Sequence, residues 1–218
     1  SGAEDTGLPE GTSVVAGTTD TAAETFGIGA VEPGQAYIKL ASVGRIAAVS
    51  RQPIKHPGIL NYPHVIPGLW YPGTSTKFAA SAFTWARNAF WDDDNTLADY
   101  EIMDKTAATV SPGSGGLIFL PHLDGEFAPS WDPKLKASFL GVGLQHARPH
   151  FTRAVMEGVG FAIRDALEDV TQIGLRVDEI RLIGGGSSSD LWAEIICDVL
   201  QREVVVPEGS DAAFGAAL

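Results

Sequence analysis

The chain has 218 residues, carries a net charge of −12 at pH 7 and is 44% hydrophobic. This is enough for one large or two small domains with a sizeable core. The acidic balance argues against a nucleic-acid surface, which needs a basic face, but leaves room for a nucleotide held by helix ends and backbone N–H groups. We expect neither a membrane span nor a signal peptide, and the single Cys197, unable to form an internal disulfide, indicates a cytoplasmic protein.

The N-terminal half predicts strands and helices separated by turns rich in glycine and proline. Its predicted elements are a strand at 11–16, a helix at 21–28, a hairpin of strands at 36–40 and 45–49, irregular or edge-strand structure at 51–75, a helix at 76–90, an acidic turn at 91–95 and a helix at 97–109. In the acidic turn, a helix cap at Asp94 or Asn95 is favoured over a metal site.

The C-terminal half continues the alternation. Its predicted elements are a strand at 117–120, a loop at 121–133, a short strand or turn at 137–142, a helix from Arg148 or Pro149 to about 173, a strand at 179–183, a helix at 191–200 and a strand at 203–207. Gly158 and Gly160 cost stability inside the long helix, so we expect close packing there. The order predicts a mixed α/β fold with helices on the faces of a mixed sheet.

Both ends of the chain resemble cuts. Ser1-Gly2-Ala3 is typical of a linker, and a helix that begins near residue 211 has no cap before the last residue. We therefore expect the chain to be a segment of a longer protein.

Three consecutive glycines, Gly184 to Gly186, stand between the strand at 179–183 and the helix that follows. Glycines let a ligand approach the backbone closely, and the first N–H groups of a helix attract anions. One of the residues 187–190 caps that helix. A turn that binds nothing remains the alternative to nucleotide or phosphate contact.

Asp20 is the best candidate for a catalytic carboxylate, because it ends the turn Gly17-Thr18-Thr19 and begins a helix. A carboxylate there can take a proton from a substrate hydroxyl or hold a hydrated Mg²⁺. It can equally be an N-cap for the N–H groups of Ala22 or Ala23. Ser42 and Gly44, in the hairpin turn, are weaker candidates for phosphate contact.

Other polar residues form no recognisable catalytic constellation. His146 and His150 have no acidic residue between them as the metalloprotease motif requires, and a loop-to-helix boundary separates them. Glu126 is a loop acid without a visible partner. No Ser/His/Asp or Cys/His arrangement is specific enough to propose.

Taken together, these segments resemble the FGGY family of carbohydrate kinases, most closely its xylulokinase-like branch. The matches lie in family order along nearly the whole chain. They are Gly17 to Ala23 for the catalytic-aspartate segment, Leu117 to Glu126 with Pro129 and Asp132-Pro133 for the family's FLPYLxGER loop, Ala137 to Val142 with His150 to Glu157 for its second signature, and Leu182 to Trp192 for its adenosine-binding turn.

The resemblance implies that residues 1–218 form the C-terminal, ATP-binding lobe, an actin/hexokinase-type ATPase lobe with a ribonuclease-H-like sheet. Asp20 would be the general base and would lie at the Mg²⁺ site. The residues implied to bind ATP are Gly17, Thr18, Ser42, Gly44, Gly184, Gly185, Gly186, Ser187 and Asp190.

The implied reaction is ATP-dependent phosphorylation of a sugar hydroxyl, with D-xylulose as substrate and xylulose 5-phosphate as product. The implied partners are the sugar, ATP and an N-terminal lobe of the same protein, with no nucleic acid and no membrane; a homodimer is left open. The alternatives are a kinase for another polyol, ketose or sugar acid, and a degenerate nucleotide-binding regulatory lobe.

Three departures from the family pattern keep these alternatives open. The phosphate turn, usually Gly-Thr-Ser-Gly, reads Ala41-Ser42-Val43-Gly44. Phe127 replaces the arginine that follows Glu126, and Ala80-Ser81 replaces a glycine pair.

Overall fold

A computed structural model describes residues 2–13, 17–93, 96–97, 99–209 and 211–218. Its centre is a four-stranded mixed sheet in the order β3-β2-β1-β8. The strands are β1 (Gln35–Leu40), β2 (Gly44–Ala48), β3 (Gly73–Thr76) and β8 (Glu179–Ile183). β2 pairs antiparallel with both β1 and β3, whereas β8 pairs parallel with β1.

The helices follow the predicted alternation. They are α1 (Gly2–Thr6), α2 (Asp20–Gly27), α3 (Ala80–Phe90), α4 (Tyr100–Ala107), α5 (Arg148–Gln172), α6 (Asp190–Leu200) and α7 (Ala212–Ala217). Two small antiparallel sheets lie outside the central one. They are β4 (Asp92–Asp93) with β5 (Thr96–Leu97), and β6 (Ile118–Leu120) with β7 (Ser138–Leu140).

The two faces of the central sheet bury different sets of side chains, as strand alternation requires. Ile38, Leu40 and Leu182 face the larger core, which α3, α5 and α6 cover. Tyr37 and Ile183 face a smaller core that also contains Ile28 and Ala30, from the end of α2 and the residues after it. The sheet therefore lies between two helical layers, and the predicted mixed α/β fold is confirmed.

α5 is the central helix of the larger core. Fourteen of its 25 residues are buried, among them Val155, Val159 and Ile163. Gly158 lies against β6, where a Cβ atom would stand 2.2 Å from the Phe119 carbonyl oxygen. The close packing predicted at this glycine is therefore confirmed.

Several predicted boundaries are wrong. Residues 73–76 are a third strand of the sheet, so the helix predicted at 76–90 begins only at Ala80. The strand predicted at 203–207 is a single parallel bridge between Arg181 and Val205. In the strand predicted at 11–16, residues 11–13 are turn and irregular chain and residues 14–16 lie outside the described residues, as do Asp94 and Asn95.

Candidate nucleotide and phosphoryl-transfer site

The central sheet brings the hairpin turn and the glycine turn to one edge. β1 and β8 run parallel, with Lys39 opposite Ile183, so their carboxyl ends lie side by side. β1 continues into the turn 41–43, and β8 continues into Gly184. A parallel pair of strands is known to build ligand sites at this edge, outside the carboxyl ends of the strands.

Asp20 begins α2 on the side of the sheet where β1 ends. One turn into the helix, Glu24 pairs with Lys39 near the end of β1, at 2.6 Å between Oε2 and Nζ. After the helix, Ile28 packs in the smaller core with Val49, which bonds to Gln35 at the start of β1. α2 thus runs antiparallel to β1, and its N-terminus points to the edge that carries the two turns.

Thr19, not Asp20, is the N-cap of α2. Its Oγ1 accepts a hydrogen bond from the Ala22 N–H at 3.2 Å. Asp20 Oδ1 accepts one from the adjacent Thr21 N–H at 2.7 Å, and the side chain is exposed. Tyr71 lies near Thr19, and burial raises the pKa of its phenol. The cap interpretation of Asp20 is therefore wrong, and its carboxylate is presented to solvent by a fixed first turn.

The hairpin turn is clamped by the start of α3. Ala80 donates its N–H to the Ala41 carbonyl at 2.8 Å, and Ala79 donates to the Ser42 carbonyl at 3.0 Å. Ser42 and Val43 remain exposed. Gly44 is needed for packing, because a Cβ atom there would stand 2.5 Å from Thr76 Oγ1.

The three glycines of the second turn have different reasons to be glycine. Gly184 has a φ of +89°, and a Cβ atom on it would lie 2.8 Å from the Leu40 carbonyl oxygen. A Cβ atom on Gly186 would lie 2.7 Å from Leu40 Cβ and 3.1 Å from the Trp192 ring. Gly185 has neither constraint: no atom lies within 4 Å of its Cβ position. The fold explains two of the glycines, and the third faces open space.

That open space belongs to a cleft of about 470 Å³. Its lining residues are Ala80, Phe83, Thr84, Tyr100, Glu101, Asp104, Gly185, Gly186, Ser188, Ser189 and Trp192. The Phe83 and Tyr100 rings stack with centroids 5.8 Å apart, and Phe83 also meets Trp192 at 5.2 Å. Apolar walls with a few convergent polar groups are typical of a small-molecule site.

The other predicted binding residues lie elsewhere. Gly17 and Thr18 line a separate hollow of about 460 Å³ between α2 and α7. Asp190 is exposed and lines a third hollow with Cys197, a partly exposed thiol. Ser187 donates its hydroxyl to the Gly184 carbonyl at 2.7 Å, which stabilises the turn. Ser189 caps α6 by accepting the Trp192 N–H at 3.0 Å.

Sequence reasoning missed the charges that flank these turns. Arg45 donates from Nε to the Tyr37 hydroxyl at 3.2 Å and lies over the Tyr62 ring. Its Nη2 is buried without a hydrogen-bond partner in the part of the chain that the structure describes. Asp104, in the wall of the cleft, was missed as well. No sequence motif marks Arg45 on β2 or Asp104 on α4. Only strand pairing and helix packing show which residues lie next to them.

Glu126 is buried and partnered. Its Oε2 lies 2.9 Å from His122 Nδ1, and its Oε1 accepts N–H groups of Lys77 and Phe127. The loop at 121–133 is thereby fixed to the end of β3. This carboxylate has a structural role and lies outside the cleft.

Asp20 is the candidate ligand for a Mg²⁺ ion that would accompany ATP. Within the described ranges, no three His, Cys, Asp or Glu side chains come together as a metal cluster. Mg²⁺ keeps waters and phosphate oxygens as ligands and needs one or two carboxylates from the protein. The exposed Asp20 carboxylate therefore fits a cation that arrives with a nucleotide rather than a resident metal.

Comparisons with known proteins agree with this geometry. The FGGY family of carbohydrate kinases, C-terminal domain, matches residues 44–218. The chain is 32% identical over 208 residues to the xylulose kinase of Escherichia coli K12, covering 94% of this chain and 42% of that protein. It is 28% identical over 214 residues to the gluconokinase of Bacillus subtilis 168, with the same two coverages of 94% and 42%.

Solved structures show the same architecture. The crystal structure of xylulose kinase from Rhodospirillum rubrum matches with a TM-score of 0.87 at 31% identity, covering 99% of this chain and 43% of that one. The fold is thus of the actin/hexokinase-like ATPase type. The chain belongs to the FGGY family of carbohydrate kinases, as its C-terminal lobe, and spans less than half the length of these relatives. No described helix is long and apolar enough to cross a membrane.

Proposed function

We propose that this chain is the nucleotide-binding lobe of an ATP-dependent sugar kinase and supplies its catalytic base. The observation that carries the proposal is the meeting of three features at one sheet edge: the exposed Asp20 carboxylate, the clamped turn 41–43, and the glycine turn opening onto an aromatic cleft. Phosphoryl transfer depends on positioning and charge neutralisation more than on covalent chemistry with the protein. The two turns can position the nucleotide, and a cation held at Asp20 would neutralise the charge of its phosphates.

In the proposed mechanism, the cleft beside Gly185 and Gly186 holds the adenosine, and the backbone there lets it approach closely. Ser42 and the N–H groups of the hairpin turn orient the terminal phosphates. Asp20 accepts the proton from the sugar hydroxyl as its oxygen attacks the γ-phosphorus, and ADP leaves. The Asp20 carboxylate would hold a Mg²⁺ ion that arrives with the nucleotide, directly or through a water molecule, and that ion would neutralise charge on the phosphates.

The sugar is proposed to be D-xylulose, giving xylulose 5-phosphate. The support is the identity to xylulose kinases, although a gluconokinase also matches over the same length. We further propose that an N-terminal lobe of the same protein packs against this chain and supplies contacts to the sugar. The protein is proposed to be cytoplasmic. Gly17 and Thr18, beside Asp20 but in a hollow separate from the cleft, are proposed to meet phosphate oxygens rather than adenosine.

The test is Asp20→Asn in the complete polypeptide that contains this chain. A base acting on a hydroxyl contributes about 10²–10⁴-fold, so we expect kcat for D-xylulose to fall by about that factor, measured by coupled ADP release. ADP affinity measured without Mg²⁺ should change little, because the Asp20 carboxylate does not line the cleft. Thr19 caps α2, so the fold should survive, which a melting curve checks.

Near-normal turnover in Asp20→Asn would contradict the base assignment. A wild-type protein that binds ADP but releases none from ATP with any pentulose, polyol or sugar acid would instead favour the degenerate regulatory lobe. The departures at Ala41 and Phe127 make that second outcome worth measuring.

A further inference from the structure

A hollow of about 310 Å³ lies between α5 and α6 and shares no lining residue with the nucleotide cleft. Residues of α5 at helical spacing form one wall of this α5–α6 hollow, and the second half of α6 forms another. They are Arg153, Glu157, Phe161 and Arg164 on α5, and Ile195, Asp198 and Val199 on α6.

The α5 wall contains a buried guanidinium with unused donors. Only 7% of the Arg153 side chain is exposed, and its Nε donates to Glu157 Oε1 at 2.8 Å. Nη1 and Nη2 carry four further N–H groups, which have no acceptor among the residues that the structure describes. Unlike the unpartnered Nη2 of Arg45, neither nitrogen is sealed from solvent. The terminal fork of Arg153 therefore faces the hollow that this side chain lines.

Glu157 does not complete the guanidinium, because its own oxygens are occupied. Oε1 also accepts the Gly113 N–H at 3.0 Å, and Oε2 accepts the Ser114 hydroxyl at 2.8 Å. These bonds fix the carboxylate beside Nε of Arg153. Buried polar groups almost always have partners, so the unused fork indicates an acceptor on a ligand, and an arginine fork fits a planar anion with two oxygens.

The surrounding charges favour an anion with a single charge. Arg153 and Glu157 cancel, and Arg164 already pairs with Glu168 at 2.7 Å between Nε and Oε1. Asp198 adds a negative charge on the opposite wall and would repel a doubly charged phosphate. A carboxylate brings one charge and can take two parallel hydrogen bonds from the fork.

The rest of the hollow offers apolar surface for the body of such a ligand. The Phe161 ring is half exposed, although it is a large apolar side chain on a helix that is otherwise well packed. Ile195 and Val199 face it from α6. Apolar walls around a few placed polar groups are typical of small-molecule sites.

We propose that the α5–α6 hollow is a second ligand site, which binds a small organic carboxylate. The carboxylate lies on the Arg153 fork, and an apolar body lies against Phe161 and Val199. This site is independent of the proposed function, because no nucleotide contact is needed to form it.

The experiment measures binding by ligand-observed NMR with three probes. They are benzoate, benzamide, which has an uncharged amide in place of the carboxylate, and inorganic phosphate. The proteins are wild type, Arg153→Lys, Phe161→Ala and the control Phe214→Ala, all as the complete polypeptide and each with and without saturating ADP. Phe214, on α7, is 47% exposed against 51% for Phe161 and does not line the hollow, so it is a matched control.

We expect wild type and Phe214→Ala to bind benzoate with a Kd of about 1 mM or below. The affinity for benzamide should be at least about tenfold lower, the usual size for hydrogen bonds to a charged group. Arg153→Lys keeps a charge beside Glu157 but lacks the fork, so the preference for benzoate should fall to about threefold or less. Phe161→Ala should weaken both probes about threefold or more and leave the preference unchanged.

Each contrary result overturns the inference. Benzoate that wild type does not bind at about 10 mM, or that ADP displaces, leaves the hollow without this ligand. Equal binding of benzoate and benzamide by wild type, or an unchanged preference in Arg153→Lys, removes the fork from the site. Displacement of benzoate by an equal concentration of phosphate makes the site a general anion site and overturns the ligand class.

A melting curve checks that each variant folds. If Arg153→Lys does not fold, Phe161→Ala decides, because its ring is half exposed: equal benzoate affinity in Phe161→Ala and Phe214→Ala overturns the inference. ADP binding by wild type is measured in the same series, so failure of the proposed function would be seen separately.

Discussion

At the scale of single residues, Gly185 gives a direct test of the nucleotide site. No atom lies within 4 Å of its Cβ position, so Gly185→Val should fold with little change in melting temperature. The new side chain would project into the cleft, where the adenosine is proposed to lie. We expect ADP to bind at least about tenfold more weakly by calorimetry, a loss of about 1.4 kcal/mol or more.

Gly186→Val is the contrasting variant. Its Cβ position is 2.7 Å from Leu40 Cβ, so the fold itself must shift, and overpacking of this kind typically costs about 1–3 kcal/mol. A Gly185→Val protein that melts normally and binds ADP as tightly as wild type would remove the glycine turn from the site.

Single residues also show where sequence reasoning reaches its limit. The triplet Gly184 to Gly186 could be recognised as a strand-to-helix turn, because strand and helix periodicities flank it. Gly184 and Gly186 must be glycine because they pack against Leu40, which is distant in sequence, whereas Gly185 has no such contact. The sequence alone does not separate these roles. Asp104 likewise looks like any polar residue of an amphipathic helix until helix packing places it in the wall of the cleft.

At the scale of elements, α5 contains a matched pair of glycines. Gly158→Ala would bring Cβ to 2.2 Å from the Phe119 carbonyl oxygen, a backbone atom of β6 that cannot yield cheaply. Gly160→Ala would meet Val199 Cγ2 at 3.4 Å, an ordinary contact. Alanine also gains about 1 kcal/mol of helix propensity over glycine.

We therefore expect urea unfolding to show opposite signs for the two variants. Gly158→Ala should lower the free energy of unfolding, by about 1–3 kcal/mol, and Gly160→Ala should leave it unchanged or raise it by up to about 1 kcal/mol. Equal effects of the two substitutions would mean that β6 does not pack against α5 as described.

Element prediction succeeded where the signal is local. The helix at 148–172 and the strand at 179–183 have clear hydrophobic periodicity and lie within a residue or two of the expected bounds. The sequence leaves 51–75 open between irregular and edge-strand structure, because Gly73-Thr74-Ser75-Thr76 lacks apolar alternation. Pairing with β2 makes residues 73–76 an edge strand. The predicted strand at 203–207 has strong β propensity, yet only Val205 finds a partner in Arg181. Pairing, which is not local, decided both cases.

At the scale of the whole molecule, the site lies on an open surface. Asp20, Ser42 and Gly185 are all exposed, and the cleft opens to solvent beside them. Kinases commonly exclude water by closing a second lobe or lid over the substrate, and that closure also completes the positioning of the reacting groups. The chain spans 42–43% of the length of the relatives compared with it, so such a second lobe has ample length in those proteins.

We therefore expect the 218-residue chain alone to bind ADP but not to phosphorylate sugar. The nucleotide contacts proposed here all lie within the chain, so calorimetry should show ADP binding that Gly185→Val weakens. Sugar-dependent ADP release should stay at background, whereas the complete polypeptide should show it under the same conditions. An Asp20→Asn form of the chain, purified identically, reveals any contaminating kinase. Sugar-dependent turnover by the isolated chain that disappears in Asp20→Asn would contradict the prediction, because it would mean that one lobe positions the sugar and excludes water by itself.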